Sequence, residues 1–229
     1  MSTAKLDGLV GSNPCQIIGA GMVHNPERPY MTVTDFVLLV EAMPEDLRPV
    51  LALTFGAHLR LGEATALICS DLDLKAGTLL VVRQAVQLRK AIVITPTKTE
   101  DTRTVDLPSV TVEAMADYLK TVPTGLPSAP LFLRADGKAL TRSQLQHAFV
   151  KARSSVGLGK YHFHDVRHSG LTLSAQSGAT TRELMARAGH TTMAAAMKYQ
   201  RAADERGKVV AAGMDQAMRL GMQQGTDEV

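Results

Sequence analysis

The 229-residue chain has only two cysteines, Cys15 and Cys69, and no apolar run of membrane-spanning length. Two isolated thiols exclude a disulfide framework and a cysteine-paired metal motif. The short apolar runs exclude a helical membrane span, so no membrane partner is expected. Nothing at the N-terminus reads as a secretory signal, which makes the cytoplasm the expected compartment. Neither an internal repeat nor a low-complexity tract is visible. The formal net charge is only +3, too small for overall charge alone to point to a polyanionic partner.

The rest is an ordinary soluble composition, 45% hydrophobic and 21% charged, with length for one substantial domain and a short appendage. Charge is uneven along it. Arg83, Arg89, Lys90, Lys98 and Arg103 stand against Glu100 and Asp101, and from Arg134 to Arg167 seven basic residues stand against Asp136 and Asp165. The middle of the chain can therefore present a basic face to phosphates, with solvated helix faces as the equal alternative.

Residues 1–29, rich in Gly, Pro, Ser and Asn, read as a linker or irregular arm. Apolar periodicity then predicts helices in TVTDFVLLVEAM, MPEDLRPVLALTFGAHL and LGEATALIC. TLLVVRQ, KAIVITP and TRTVDLP are β-rich and predict one three-stranded antiparallel sheet. SVTVEAMADYLKTV, SQLQHAFVKARSSVG and nearly everything after it return to helical period, punctuated by Gly178, Gly189 and Gly213. The expected class is mixed α+β, mainly α-helical, with one small sheet.

Chemistry-bearing residues recur in a fixed order: Arg60, Lys98, His164, Arg167, His190 and Tyr199. His164 and Arg167 are three apart in a helical stretch and leave the same face. His190 and Tyr199 are nine apart across a turn and a short helix, which brings a phenol back towards an imidazole. Arginine's planar fork matches phosphate oxygens two at a time and stays charged. Tyrosine can form covalent intermediates but needs help to become a nucleophile at neutral pH. Together they describe a site for a phosphodiester.

These residues carry a resemblance. GAHLRLGEATALICSDLDL resembles the first arginine box of the tyrosine recombinase (phage integrase) family, whose usual form is close to TGLRxxEaLaLrwsDid. TPTKTEDTRTVDLP is similar to its β-hairpin lysine segment, HDVRHSGLT to its His-x-x-Arg box, and AGHTTMAAAMKY to its Gly-His to Tyr segment, with Ala188 where leucine is usual. The linker NPCQIIGAG is similar to integrases of actinobacterial (mycobacterial) phages.

The resemblance implies a catalytic domain over residues 30–205. Residues 1–29 would be a linker and the remnant of a DNA-clamping core-binding domain, so a truncated chain is expected, with a naturally minimal recombinase as the alternative. Residues 206–229 would form a tail helix, docked on its own domain or exchanged between protomers. It implies cleavage and rejoining of DNA through a 3′-phosphotyrosyl ester, topoisomerase IB-like chemistry with no cofactor or metal. Partners would be double-stranded attachment sites, a homotetramer formed on DNA from free monomers, and accessory DNA-bending or excision factors, in the cytoplasm of a bacterial host.

By the same resemblance Tyr199 attacks, Arg60 and Arg167 grip phosphate oxygens, and His164 serves as acid/base. Lys98 protonates the departing 5′-oxygen, a role for which Lys90 competes, and His190 hydrogen-bonds a phosphate oxygen. Glu63 buttresses Arg60. His162 and His168 become packing or groove residues, and Tyr161 is a candidate DNA contact. Two rivals remain: a non-cutting DNA-binding protein on the same fold, and a metal-dependent hydrolase built on His162, His164 and His168.

Overall fold

The computed structural model describes residues 2–12, 30–88, 91–97, 102–122, 126–134, 136–189, 192–201 and positions 211, 212, 214, 215, 218 and 219. A short helix α1 (Ser2–Leu6) is followed, after the undescribed residues 13–29, by α2 (Val33–Ala42). The Thr32 hydroxyl accepts from the Asp35 backbone N–H and starts α2 as its N-cap. Pro44 precedes a 3-10 turn at Glu45–Leu47, and α3 (Arg48–Gly56) carries Val50, Leu51 and Leu53 into the core.

The third predicted helix is much shorter than LGEATALIC suggests. Helix α4 is Leu61–Ala64 alone, because Ile68 leaves helical geometry to bridge Pro130 and the Asp71 carboxylate accepts from the Ile68 backbone N–H. The predicted single sheet also divides. Strands β1 (Leu72–Asp73), β2 (Thr78–Val81) and β5 (Arg103–Asp106) form one antiparallel sheet in the order β1-β2-β5. Strands β3 (Arg83–Leu88) and β4 (Ala91–Pro96) form a separate pair. TLLVVRQ is therefore two strands: Val81 pairs with Arg103 in the first sheet, and Arg83 pairs with Pro96 in the second. An Arg83–Asp71 ion pair of 2.6 Å holds the chain at that switch.

Helices α5 (Ser109–Thr121), α6 (Arg142–Ser155), α7 (Phe163–Gln176), α8 (Thr181–Ala188) and α9 (Met193–Arg201) complete the fold. The main core joins α2, α3, α5, α6 and the start of α7 through residues such as Leu39, Leu53, Met115, Phe149 and Val166. A second, smaller apolar cluster lies between α7, α8 and α9: Leu171, Ala175, Leu184, Ala188, Ala196 and Tyr199. Tyr161 is 1% exposed and donates to Asp35 at 2.8 Å, so it belongs to the core rather than to a DNA-facing surface. Burial, with the Asp35 carboxylate, pushes its phenol up to about 12.

Candidate active site

Glu63 organises the site. It is 1% exposed on the single turn of α4, just after Arg60. Its carboxylate accepts from the Arg60 backbone N–H at 2.8 Å and from the Arg60 guanidinium at 2.7 Å. Arg103, from β5, donates to both carboxylate oxygens, at 3.2 and 2.7 Å. Arg167, from α7, lies 3.9 Å away. Burial alone would raise the Glu63 carboxyl, but hydrogen bonding and charge from Arg103 and Arg60 outweigh it and hold the group below its ordinary range.

Backbone carbonyls complete the mounting. Arg167 donates to the carbonyls of His58 and of Ala188, the latter at 2.6 Å. Arg60 donates to the carbonyl of Gly189 at 3.3 Å, and Arg103 to that of Arg187 at 3.0 Å. The end of α8 is thus gripped by three guanidiniums. Gly189 caps α8 in the left-handed region at φ 60°, and a Cβ there would come within 3.2 Å of the Arg103 guanidinium, so glycine serves both the turn and the close approach.

Among the described residues, three guanidiniums around one carboxylate leave two positive charges in excess. Burial, then the charge of Arg60, press Arg167 down to about 9, still well above neutral. Arg60 is the accessible member, its side chain 25% exposed beside the buried Glu63. A local surplus of fixed cations with one edge open to solvent is a site for an anion, and fork-shaped donors suit a phosphate.

Tyr199 lies within electrostatic reach of this cluster. It is 7% exposed on α9, with its ring 5.0 Å from that of His168 at an angle of 54°. Burial raises its phenol, and the charges of Arg167 and Arg60 pull it partly back. At neutral pH the phenol is protonated, and the nearby guanidiniums favour the phenolate once a base takes the proton. His164 lies one turn before Arg167 on α7 and is exposed, in position to meet a bound molecule rather than to fill the core.

Arg60, Glu63, Arg167 and Tyr199 are therefore brought together, with His164 on the same helix as Arg167. Lys98 and His190 lie outside the described residues; Lys98 falls in the stretch between β4 and β5 and His190 directly after the α8 cap. Among the described residues no group of three or more His, Cys, Asp or Glu side chains is arranged to hold a metal ion. The three histidines diverge: His162 turns to Asp165 at 3.5 Å, His164 faces outward, and His168 packs on Tyr199.

In the sequence Arg103 stands out only as one basic residue in a charge run. Its signal was the alternation of RTVD, which puts Arg103 on the same face as buried Val105. His58 and Arg187 were also missed. A cavity of about 590 Å³, lined by Phe55, His58, Asp106, Ser174, Glu183 and Arg187 among others, opens beside them. Arg60, Arg167 and Tyr199 do not line it, so these candidate residues belong to a different surface.

A model of the phage integrase family matches residues 30–206. The chain is 35% identical over 218 residues to the prophage phiRv2 integrase of Mycobacterium tuberculosis, covering 93% of this chain and 58% of that protein. It is 33% identical over 223 residues to the integrase of Mycobacterium phage D29, covering 94% and 59%. The chain thus spans less than two thirds of the length of these relatives. The fold is similar to that of the Tn1549 transposon integrase in complex with circular intermediate DNA, with a TM-score of 0.75 at 17% identity, covering 86% of this chain and 70% of that one. It is also similar to a lambda integrase dimer bound to a core site, with a TM-score of 0.57 at 19% identity, covering 90% and 56%.

Proposed function

The chain belongs to the phage integrase family, and from that premise we propose that it is a site-specific recombinase that cleaves and rejoins DNA strands through a 3′-phosphotyrosyl intermediate, integrating or excising phage DNA. One observation carries the reading: a buried carboxylate, Glu63, gathers Arg60, Arg103 and Arg167 with charge to spare, beside a buried tyrosine. The relatives named integrase and the DNA held in the Tn1549 and lambda integrase structures support duplex DNA as the partner.

In the proposed reaction Arg60 and Arg167 hold the non-bridging oxygens of the scissile phosphate. Tyr199 Oη attacks phosphorus as its proton passes to a base, for which His164 is the candidate. The bond to the 5′-oxygen breaks, and Lys98 gives that oxygen a proton. His190 adds a hydrogen bond to the phosphate. The product is a 3′-phosphotyrosyl ester and a free 5′-hydroxyl; attack by a 5′-hydroxyl on the ester reverses every step and restores Tyr199. Phosphodiester bond energy is kept in the ester, so no nucleotide is consumed. Fixed cations serve where metal ions serve in other phosphoryl-transfer sites. A homotetramer pairing two duplexes, with accessory DNA-bending or excision factors, is the assembly this chemistry calls for. The cytoplasm of a bacterial host is its setting, and none of the described helices is long and apolar enough to cross a membrane.

The test uses duplexes selected for binding from a random-sequence pool and nicked at successive positions, incubated with the chain in EDTA. A covalent protein–DNA adduct that Tyr199→Phe abolishes is the expected result. Binding without an adduct at any nick position would favour a non-cutting DNA-binding protein, and an adduct or product that EDTA removes would favour a metal-dependent hydrolase.

A further inference from the structure

His58 is the one described residue other than glycine with a positive φ, 55°. It stands two residues before Arg60, where the arginine-box pattern TGLR has glycine and this chain reads AHLR. A bulky side chain in the left-handed region is costly, and such positions persist only where the surroundings hold them. Here both halves of the residue are engaged. The twisted backbone turns the His58 carbonyl onto the Arg167 guanidinium. The ring, 2% exposed, takes a hydrogen bond at Nε2 from Arg187 Nε at 3.1 Å, with the Ser174 hydroxyl also at 3.1 Å.

Arginine can only donate, so Nε2 is the acceptor and the ring is neutral with its proton on Nδ1. Nδ1 lies by the Phe55 carbonyl, outside good hydrogen-bond geometry. Gly170 on α7 makes room for the ring: a Cβ there would come within 2.8 Å of Nδ1 and 2.2 Å of the Phe55 carbonyl. Arg187 also donates to the carbonyls of Gly56 and Asp106, at 3.1 and 3.0 Å, and its own carbonyl accepts from Arg103. A closed circuit results, running from Glu63 through Arg103, Arg187 and His58 to Arg167 and back towards Glu63.

We propose that His58 is a positioning residue: its left-handed backbone and neutral ring together tie the end of α8 to the arginine cluster and so set where Arg167 and Arg103 stand. The inference rests on the recombinase reading for its catalytic consequence, but not for its structural one. Glycine at position 58 would keep the backbone and the carbonyl on Arg167 while releasing the Arg187 Nε–H. Asparagine, which tolerates the left-handed region and carries an acceptor, restores part of the ring's role.

The test compares the full chain with His58→Gly and His58→Asn by two measurements. The first is hydrogen exchange of the Arg187 and Arg103 Nε–H groups by NMR, which needs no DNA. The second is the single-turnover rate of adduct formation on the nicked duplex, set beside affinity for the same duplex. His58→Gly is expected to speed Arg187 Nε–H exchange at least tenfold and slow adduct formation at least tenfold, with duplex affinity within about twofold. His58→Asn should recover part of both. Wild-type exchange in His58→Gly, or fast exchange with an unchanged adduct rate, overturns the proposal. If His58→Gly does not fold, His58→Asn is judged alone, and exchange and adduct rates both at wild-type values in a variant lacking the imidazole overturn it. If the wild-type chain forms no adduct the recombinase reading fails, and Nε–H exchange still decides whether His58 holds Arg187.

Discussion

The arginines and the tyrosine are mounted differently. Arg60, Arg103 and Arg167 are set by a buried carboxylate and by backbone carbonyls, on elements that continue into the main core. Tyr199 rests in a cluster whose other members are two leucines and three alanines. Alanine buries little area, so the apolar attachment of α9 is weak per residue compared with that of α3 and α7, whereas the end of α8 is also held by the guanidiniums. The contrast separates a preorganised charge site from a tyrosine on a more easily opened support. The proposed reaction, which holds a phosphate still while a tyrosine attacks and later departs, would make use of both.

The sharpest way to break the charge side is Glu63→Ala. Removing the one carboxylate leaves buried guanidiniums uncompensated, and the expected loss is about 3–5 kcal/mol of folding stability, read from urea unfolding. A loss below about 1 kcal/mol would mean that the carbonyls alone hold the arginines. On the other side, Leu184→Ala deletes a fully buried side chain of the small cluster. The expected cost is about 2–4 kcal/mol. It should be local: amide exchange in α9 should accelerate while exchange in α3 keeps its wild-type protection. Equal acceleration in both helices would show that the two regions open as one unit.

Acid probes the joint between the regions. Burial, then the charges of Arg187 and Arg167, lower the His58 imidazole to about 3, with Arg103 adding to them against the Phe55 carbonyl. Those groups face it from α8, α7, β5 and α3, while Glu183 and Asp106 line the adjoining cavity. An unfolded chain protonates this histidine near 6.5, so below that pH the unfolded state binds the extra proton and stability falls until about pH 3. Between neutral pH and pH 5 the loss from this residue is about 2 kcal/mol. Denaturant midpoints at pH 7 and pH 5 should show that slope, and His58→Asn should flatten it. The Glu63 contribution has the same sign but a lower window: its folded carboxyl lies below the ordinary carboxylate range, so its stabilisation is lost as pH falls from that ordinary range to the lower value.

Much of this was legible in the sequence for local reasons. Helix α7 spans Phe163–Gln176, the stretch whose periodicity predicts it, and it carries both His164 and Arg167. The arginine and tyrosine boxes are short motifs whose order survives without knowledge of the fold. What was not legible depends on partners distant in the chain. The division of TLLVVRQ between two sheets follows from Val81 pairing with Arg103 and Arg83 with Pro96, pairings that no local pattern encodes. The role of Arg103 needs Glu63, forty residues earlier. His58 offered a signal in replacing a glycine, but Arg187, which gives its ring a task, lies 129 residues away.

The smallest expected change in stability is the most informative about the proposed nucleophile. Tyr199→Phe removes a single hydroxyl from a ring that keeps its packing against His168 and its place in the small cluster. Its effect on unfolding should be about 1 kcal/mol or less, the net worth of an ordinary hydrogen bond. Adduct formation should nevertheless vanish. Because burial holds the phenol above its ordinary range, it stays protonated through neutrality, and the wild-type adduct rate should rise with pH as its proton is more readily lost. A Tyr199→Phe chain destabilised by several kcal/mol would instead place the hydroxyl in the framework of the α7–α9 cluster, and the contrast between a braced arginine site and a lightly held tyrosine would be lost.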